Sequence, residues 1–231
     1  MSLLIAAAAT FVLLHLLISG TRLRDALAAR IGEGPYMGLF SLASIAALVW
    51  LGLAYAGARG SAADEVFWGI TPATRWIQIA VQLLAMLLVV PGLTTPNPTS
   101  VRQEGSLGRV DVVRGMLRIT RHPFLWGVAV WAAGHLLVNG AATSLILFGS
   151  LLALALFGTV SIDAKRRRKL GKSWEPFAAQ TSNVPFAAIA AGRQRLDIAE
   201  IGWWRIALAV AVWALLAWAH PYLFGAPALP S

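Results

Sequence analysis

Six apolar runs constrain this chain more than any other feature. They cover residues 3–19, 37–56, 73–91, 123–138, 142–160 and 203–223. A helix needs about 20 apolar residues to cross about 30 Å of hydrocarbon, and a chain in lipid must satisfy its backbone internally. The runs therefore predict an all-α integral membrane protein of six transmembrane helices, organised as one domain over residues 1–231. Composition agrees. Hydrophobic residues make up 58% and charged residues 13%, about half the charged share of a soluble domain.

The charges orient the helices. Arg22, Arg24 and Arg30 follow the first run. Arg102, Arg109, Arg114, Arg118 and Arg121 precede the fourth. Lys165 to Lys169, Lys172, Arg193 and Arg195 lie between the fifth and sixth, with Arg205 entering the sixth. Of 19 Lys and Arg residues only Arg59 and Arg75 fall in the alternate loops. Basic loops stay in the cytoplasm, which puts both termini outside. The net charge of +9 thus reads as membrane topology and not as a nucleic-acid groove. At the N-terminus the positive charges follow the apolar run, the reverse of a secretory signal, so that run is read as a first transmembrane helix.

Turn and breaker signals refine the layout. Asn139-Gly140 separates the fourth and fifth runs and predicts a tight helical hairpin. Pro123 suits a first helical position. The segment 91–98, "PGLTTPNP", is expected to break the third helix. The stretch 107–120, "LGRVDVVRGMLRIT", is amphipathic and is expected to lie along the inner membrane surface, its arginines toward lipid phosphate or a ligand anion.

All four histidines fall in or beside apolar runs. His15 lies in the first, His122 and His135 bound the fourth, and His220 is near the end of the sixth. Ionisable groups in such segments face a bundle interior or a polar cavity. One of them alone is also explained by an interhelical hydrogen bond. With no cysteine, thiolate ligation and disulfides are excluded. Asp and Glu lie in or next to loops, so a carboxylate-rich di-metal site is excluded, and no carboxylate is expected to orient a histidine. Histidines on separate helices fit axial ligation of a haem, with Arg118 and Arg121 near its propionates and His122 polarising the inner side.

The pieces "LLHLLISGTRLRDAL", "GMLRITRHP", "WAAGHLLVNG", "LGKSWEPFAAQTSNVPFAAIAAGR" and "AHPYLFGAP" resemble, in order, the NnrU family of bacterial membrane proteins. The resemblance implies a bacterial inner-membrane protein linked to nitrite and nitric oxide metabolism, with a possible denitrification-related membrane partner. The family also includes a plant 15-cis-zeta-carotene isomerase. That member implies haem b, His15 and His135 as axial ligands, and a redox-gated cis–trans isomerisation of a lipid-soluble polyene. Ala132 stands where the plant enzyme has a cysteine. Helix depth points elsewhere: at about 1.5 Å per residue, His15 pairs with His122 near the inner boundary and His135 with His220 near the outer. A non-enzymatic sensor or assembly subunit is an alternative. So is a membrane methyltransferase using S-adenosylmethionine, because "TRHPFLWG" resembles part of the isoprenylcysteine carboxyl methyltransferases. The glutamate pair of those enzymes is replaced here by Asp163 and "AKRRRKL".

Overall fold

A computed structural model describes residues 1–100, 102–109 and 111–229. Each of the six apolar runs forms a helix. Among the described residues the only strand-like pairing is one bridge, Val66 with Ala141.

The first run is α1 (Ser2–Leu13), which widens into a π-turn over Leu14–Ser19. A short helix, α2 (Arg22–Ile31), follows where a loop was expected. Thr21 starts it, its hydroxyl accepting from the Leu23 amide, and Gly32 ends it at φ 89°. The next run is α3 (Glu33–Ala58). Then comes α4 (Pro72–Thr94), opened by a capping box between Thr71 and Thr74.

α4 ends within the segment 91–98, as expected, three residues past Pro91. A proline forfeits one hydrogen bond to the carbonyl four residues earlier, and α4 bears that loss and stops only at Thr95, before Pro96. The amphipathic stretch 107–120 forms no continuous helix among its described residues. Gly115 adopts φ 55°, leaving a 3-10 turn at Glu104–Gly108 and a single helical turn, α5 (Met116–Ile119). Val110 falls outside the described residues.

The fourth run is α6 (Pro123–Val138), with Pro123 at its first position as expected. The fifth is α7 (Ala142–Leu170). It continues ten residues past the apolar run, because Arg167, Arg168 and Lys169 favour the negative end of its dipole. Two short helices, α8 (Glu175–Gln180) and α9 (Ala187–Ala190), precede α10 (Trp203–Phe224).

Five helical segments are long and apolar enough to cross a membrane, at Ser2–Ser19, Glu33–Ala58, Pro72–Thr94, Ala142–Gln180 and Trp203–Phe224. The sixth, α6, has only 16 residues, about 24 Å at 1.5 Å per residue. Contacts run in the order α3, α1, α7, α6, α4, α10. A hydrogen bond from Arg59 Nη1 to the Phe224 carbonyl (3.3 Å) joins the ends of α3 and α10. Outward faces stay apolar, with Leu42, Leu53 and Trp76 all more than half exposed, as a lipid environment requires.

Lipid tails supply no hydrophobic drive between helices, so close packing of small residues must hold them. The α4–α6 crossing does this. A Cβ on Gly127 would stand 2.6 Å from Val89 Cγ2 and 2.9 Å from the Val89 nitrogen; one on Gly92 would stand 2.6 Å from the Phe124 nitrogen. The hairpin between α6 and α7 is as tight as expected. The Gly140 amide donates to the Trp68 carbonyl (3.1 Å), and the Phe67 amide donates to the Gly140 carbonyl (2.9 Å).

Candidate functional site

At the basic end of the bundle, where α6 begins, Arg121 and His122 meet Asp163 of α7. The imidazole Nε2–H of His122 donates to Asp163 Oδ1 at 2.8 Å. Arg121 grips the same carboxylate from Nη2 (2.5 Å to Oδ2) and from Nε (2.9 and 3.0 Å). The three side chains are 12%, 1% and 13% exposed for Arg121, His122 and Asp163. This corrects the expectation that no carboxylate orients a histidine. Asp163 does so from within a helix, 41 residues away in sequence, and its charge is matched by Arg121. Burial pushes His122 below the ordinary imidazole range. Its bond to Asp163 opposes that shift, and the Arg121 and Arg166 charges reinforce it. The ring is therefore neutral, a donor at Nε2 with its lone pair at Nδ1.

This centre is stitched to three chain segments. The Arg121 amide donates to the Ser182 carbonyl (2.9 Å). The Arg121 carbonyl accepts from Asn97 Nδ2 (3.0 Å) and Thr99 Oγ1 (2.9 Å). The Asn183 carbonyl accepts from Thr120 Oγ1 (2.5 Å) and Trp126 Nε1 (2.9 Å). Buried polar groups are stable only when so paired.

Arg118 points elsewhere. Its Nε and Nη2 donate to the two oxygens of Glu200 at 2.6 and 2.8 Å, and Nη1 donates to Gln194 (2.7 Å). Hydrogen bonds from Arg118 and from the Gly115 amide push the Glu200 carboxyl down to about 2, against some burial. Arg118 and Arg121 each already hold a carboxylate. The structure thus brings Arg121 and His122 together and keeps Arg118 in a separate ion pair.

The other three histidines share a different arrangement. In each, Nδ1–H donates to a backbone carbonyl: His15 to Phe11 (2.8 Å), His135 to Trp131 (2.8 Å) and His220 to Ala226 (2.6 Å). A donor at Nδ1 leaves the lone pair on Nε2, the tautomer that metal-ligating imidazoles use. The donor chemistry for an iron porphyrin is therefore present at each ring.

Their positions differ. His15 sits in the π-turn, edge-on to Phe40 of α3 (5.4 Å between centroids). Single π-turns recur at functional positions in helices. His135 stacks on Phe148 of α7 (4.5 Å, 16° between planes). The amide of Gln82 lies 3.4 Å from its Nδ1. Gln78 Oε1 nearby is buried without a partner. Gly134 makes room for these amides, since a Cβ there would stand 2.5 Å from Gln78 Oε1 and 2.6 Å from Gln82 Nε2. Neither glutamine was singled out in the sequence. The signal was legible as a polar pair at i, i+4 inside an apolar run. His220 is on α10, across α4 from His135 and at the same end of the bundle, within electrostatic reach of it.

Register along α7 sets the depths. α1 and α7 run parallel, and Gly20 lies beside Ser161, whereas His135 lies beside Phe148. His15 is five residues from Gly20, and Phe148 is 13 from Ser161. The difference of eight residues separates His15 from His135 by about 12 Å along the bundle. Two nitrogens on one iron stand about 4 Å apart, twice a metal–imidazole bond. Single ligation thus fits the donor chemistry at each ring, and the register does not bring His15 and His135 to one iron.

The family model described as NnrU protein matches residues 3–228. Over 82 residues the chain is 37% identical to the 15-cis-zeta-carotene isomerase of Zea mays and 39% identical to that of Arabidopsis thaliana, both chloroplastic. Those stretches cover 36% of this chain and 22% of each plant protein. The chain thus matches less than a quarter of the length of these curated relatives. No solved structure matches it.

Proposed function

The chain belongs to the NnrU family, and we propose that it is a membrane-embedded isomerase acting on a cis double bond of a lipid-soluble polyene. The likeness to the 15-cis-zeta-carotene isomerases carries this reading. The setting is a bacterial cytoplasmic membrane, crossed six times with both termini outside, as the basic loops favour. A polyene would reach the bundle from the bilayer, since the outward faces are apolar.

The proposed cofactor is haem b, which supplies a redox-active iron when bound. His135 would hold it through Nε2. Its Nδ1–H bond to the Trp131 carbonyl fixes that tautomer, and Phe148 fixes the ring plane. His220 is the second ligand that the shared end favours; His15 is the one that the family resemblance implies. The Arg121–His122–Asp163 centre would hold the basic end of α6 rigid and so fix the height of His135, 13 residues along the same helix. In this reading Arg118, Arg121 and His122 position the site and do not grip propionates.

The test is the absorption spectrum of detergent-purified protein, oxidised and dithionite-reduced, with haem supplied during expression. A Soret band lost in His135→Ala and altered in His220→Ala but not in His15→Ala is the expected pattern. Reduced protein should then convert 15-cis-zeta-carotene in a chromatographic assay. No Soret band after haem reconstitution overturns the cofactor. A haem protein that leaves the polyene unchanged overturns the isomerase and favours a sensor or assembly subunit of nitrogen-oxide metabolism.

A further inference from the structure

Between the start of α2 and the basic end of α7 lies an open recess of about 420 Å³, lined by Arg22, Asp25, Lys165, Arg168 and Lys169. Its charges do not balance. Asp25 and Glu33 are both held by Arg24, and Glu104 is shared by Arg166 and Lys169. Among the described residues this leaves Arg22, Lys165 and Arg168 with no carboxylate in ion-pair range. Lys165 is half-buried, and its ammonium reaches only the Ser19 carbonyl, at 3.5 Å. A partly desolvated cation without a counter-ion is unfavourable unless an anion is supplied.

A second observation says which anion. Residues 157, 161, 165 and 168 follow helical spacing down one face of α7. Phe157 and Val160 are each 63% exposed, and in the π-turn after α1 Leu17 is 55% exposed, five residues before Arg22. The unpaired cations therefore stand at the head of an exposed apolar strip on two adjacent helices. A soluble phosphate would use the cations and leave the strip unexplained. A lipid uses both, and basic pockets between transmembrane helices recognise acidic headgroups.

We propose that this recess binds the phosphate of an anionic phospholipid, with the acyl chains lying on Leu17, Phe157 and Val160. The site is independent of the isomerase reading. It clamps α2 to α7 beside the π-turn that carries His15.

The experiment is native mass spectrometry of the delipidated full chain titrated with phosphatidylglycerol, using phosphatidylcholine as the neutral control. Each basic side chain near an acidic headgroup contributes about 1 kcal/mol, so K165Q/R168Q is expected to bind about thirty-fold more weakly. Arg22→Gln, at an exposed rim position, is expected to lose about five-fold and serves if the double variant fails to fold. K172Q/R195Q removes the same charge elsewhere and is expected to bind like the wild type. Equal weakening in the two double variants overturns the site in favour of diffuse attraction. Phosphatidylcholine binding as tightly overturns the headgroup selectivity. Displacement of the lipid by inorganic phosphate alone reassigns the recess to a free anion and overturns the lipid.

Discussion

Replacing Asp163 by Asn tests the buried ionic centre directly. The carboxylate accepts from His122 and twice over from Arg121, and all three side chains are at most 13% exposed. Asn keeps the volume and one acceptor but removes the charge. Arg121 is left cationic and buried with no counter-charge. Breaking such a pair from one side costs about 3–5 kcal/mol. For a chain of this size each kcal/mol lowers Tm by about 2–4 °C, so Asp163→Asn is expected to unfold about 6–20 °C below the wild type in detergent, read by tryptophan fluorescence. Arg121→Met supplies an independent arm. There Asp163 stays buried with only His122 as a side-chain partner, and burial, the largest influence on that imidazole, still opposes its protonation. A buried carboxylate without its counter-charge costs a similar amount, so Arg121→Met is expected to unfold over the same lowered range. A drop of less than about 2 °C in both variants would mean that water reaches the cluster and that the reasoning is wrong.

Glu200 predicts a different pH dependence, because its carboxyl is held down to about 2. Stability from the Arg118 pair is present above about pH 4.5 and lost as pH falls toward 2, so the gap between wild type and Glu200→Gln should close over that window in acid-unfolding curves. Gly127→Ala should destabilise by about 1–3 kcal/mol, because its new methyl meets the Val89 backbone, which cannot yield as a side chain tip does; thermal unfolding measures it.

The helices were legible because each rests on a local property, hydropathy over a window, that lipid turns into structure. What escaped was of longer range, or depended on a balance of terms. Nothing near Leu14–Ser19 marks a π-turn. The segment 91–98 was a legible stop, but the helix runs three residues past Pro91, since one lost hydrogen bond is a small cost in a helix packed along α6. The basic run after Val160 read as loop, although its own charges stabilise three more turns of α7. That extension is what made Asp163 look like a loop residue and hid its pairing with His122.

The placement of two histidines on one short helix follows from these facts. At 16 residues α6 is several ångströms shorter than the hydrocarbon core, yet it is flanked by α4 and α7 along its length, so its ends are shielded from lipid. Polar groups there need protein partners. At the basic end His122 finds Asp163, and at the other the Asn139–Gly140 turn finds the Trp68 segment. His135 lies one turn inside that second end, between Phe148 and two glutamines, one of which has an unsatisfied oxygen. The first histidine completes a closed polar network. The second keeps Nε2 free and has an unpaired amide nearby, which is why the proposed cofactor is placed there.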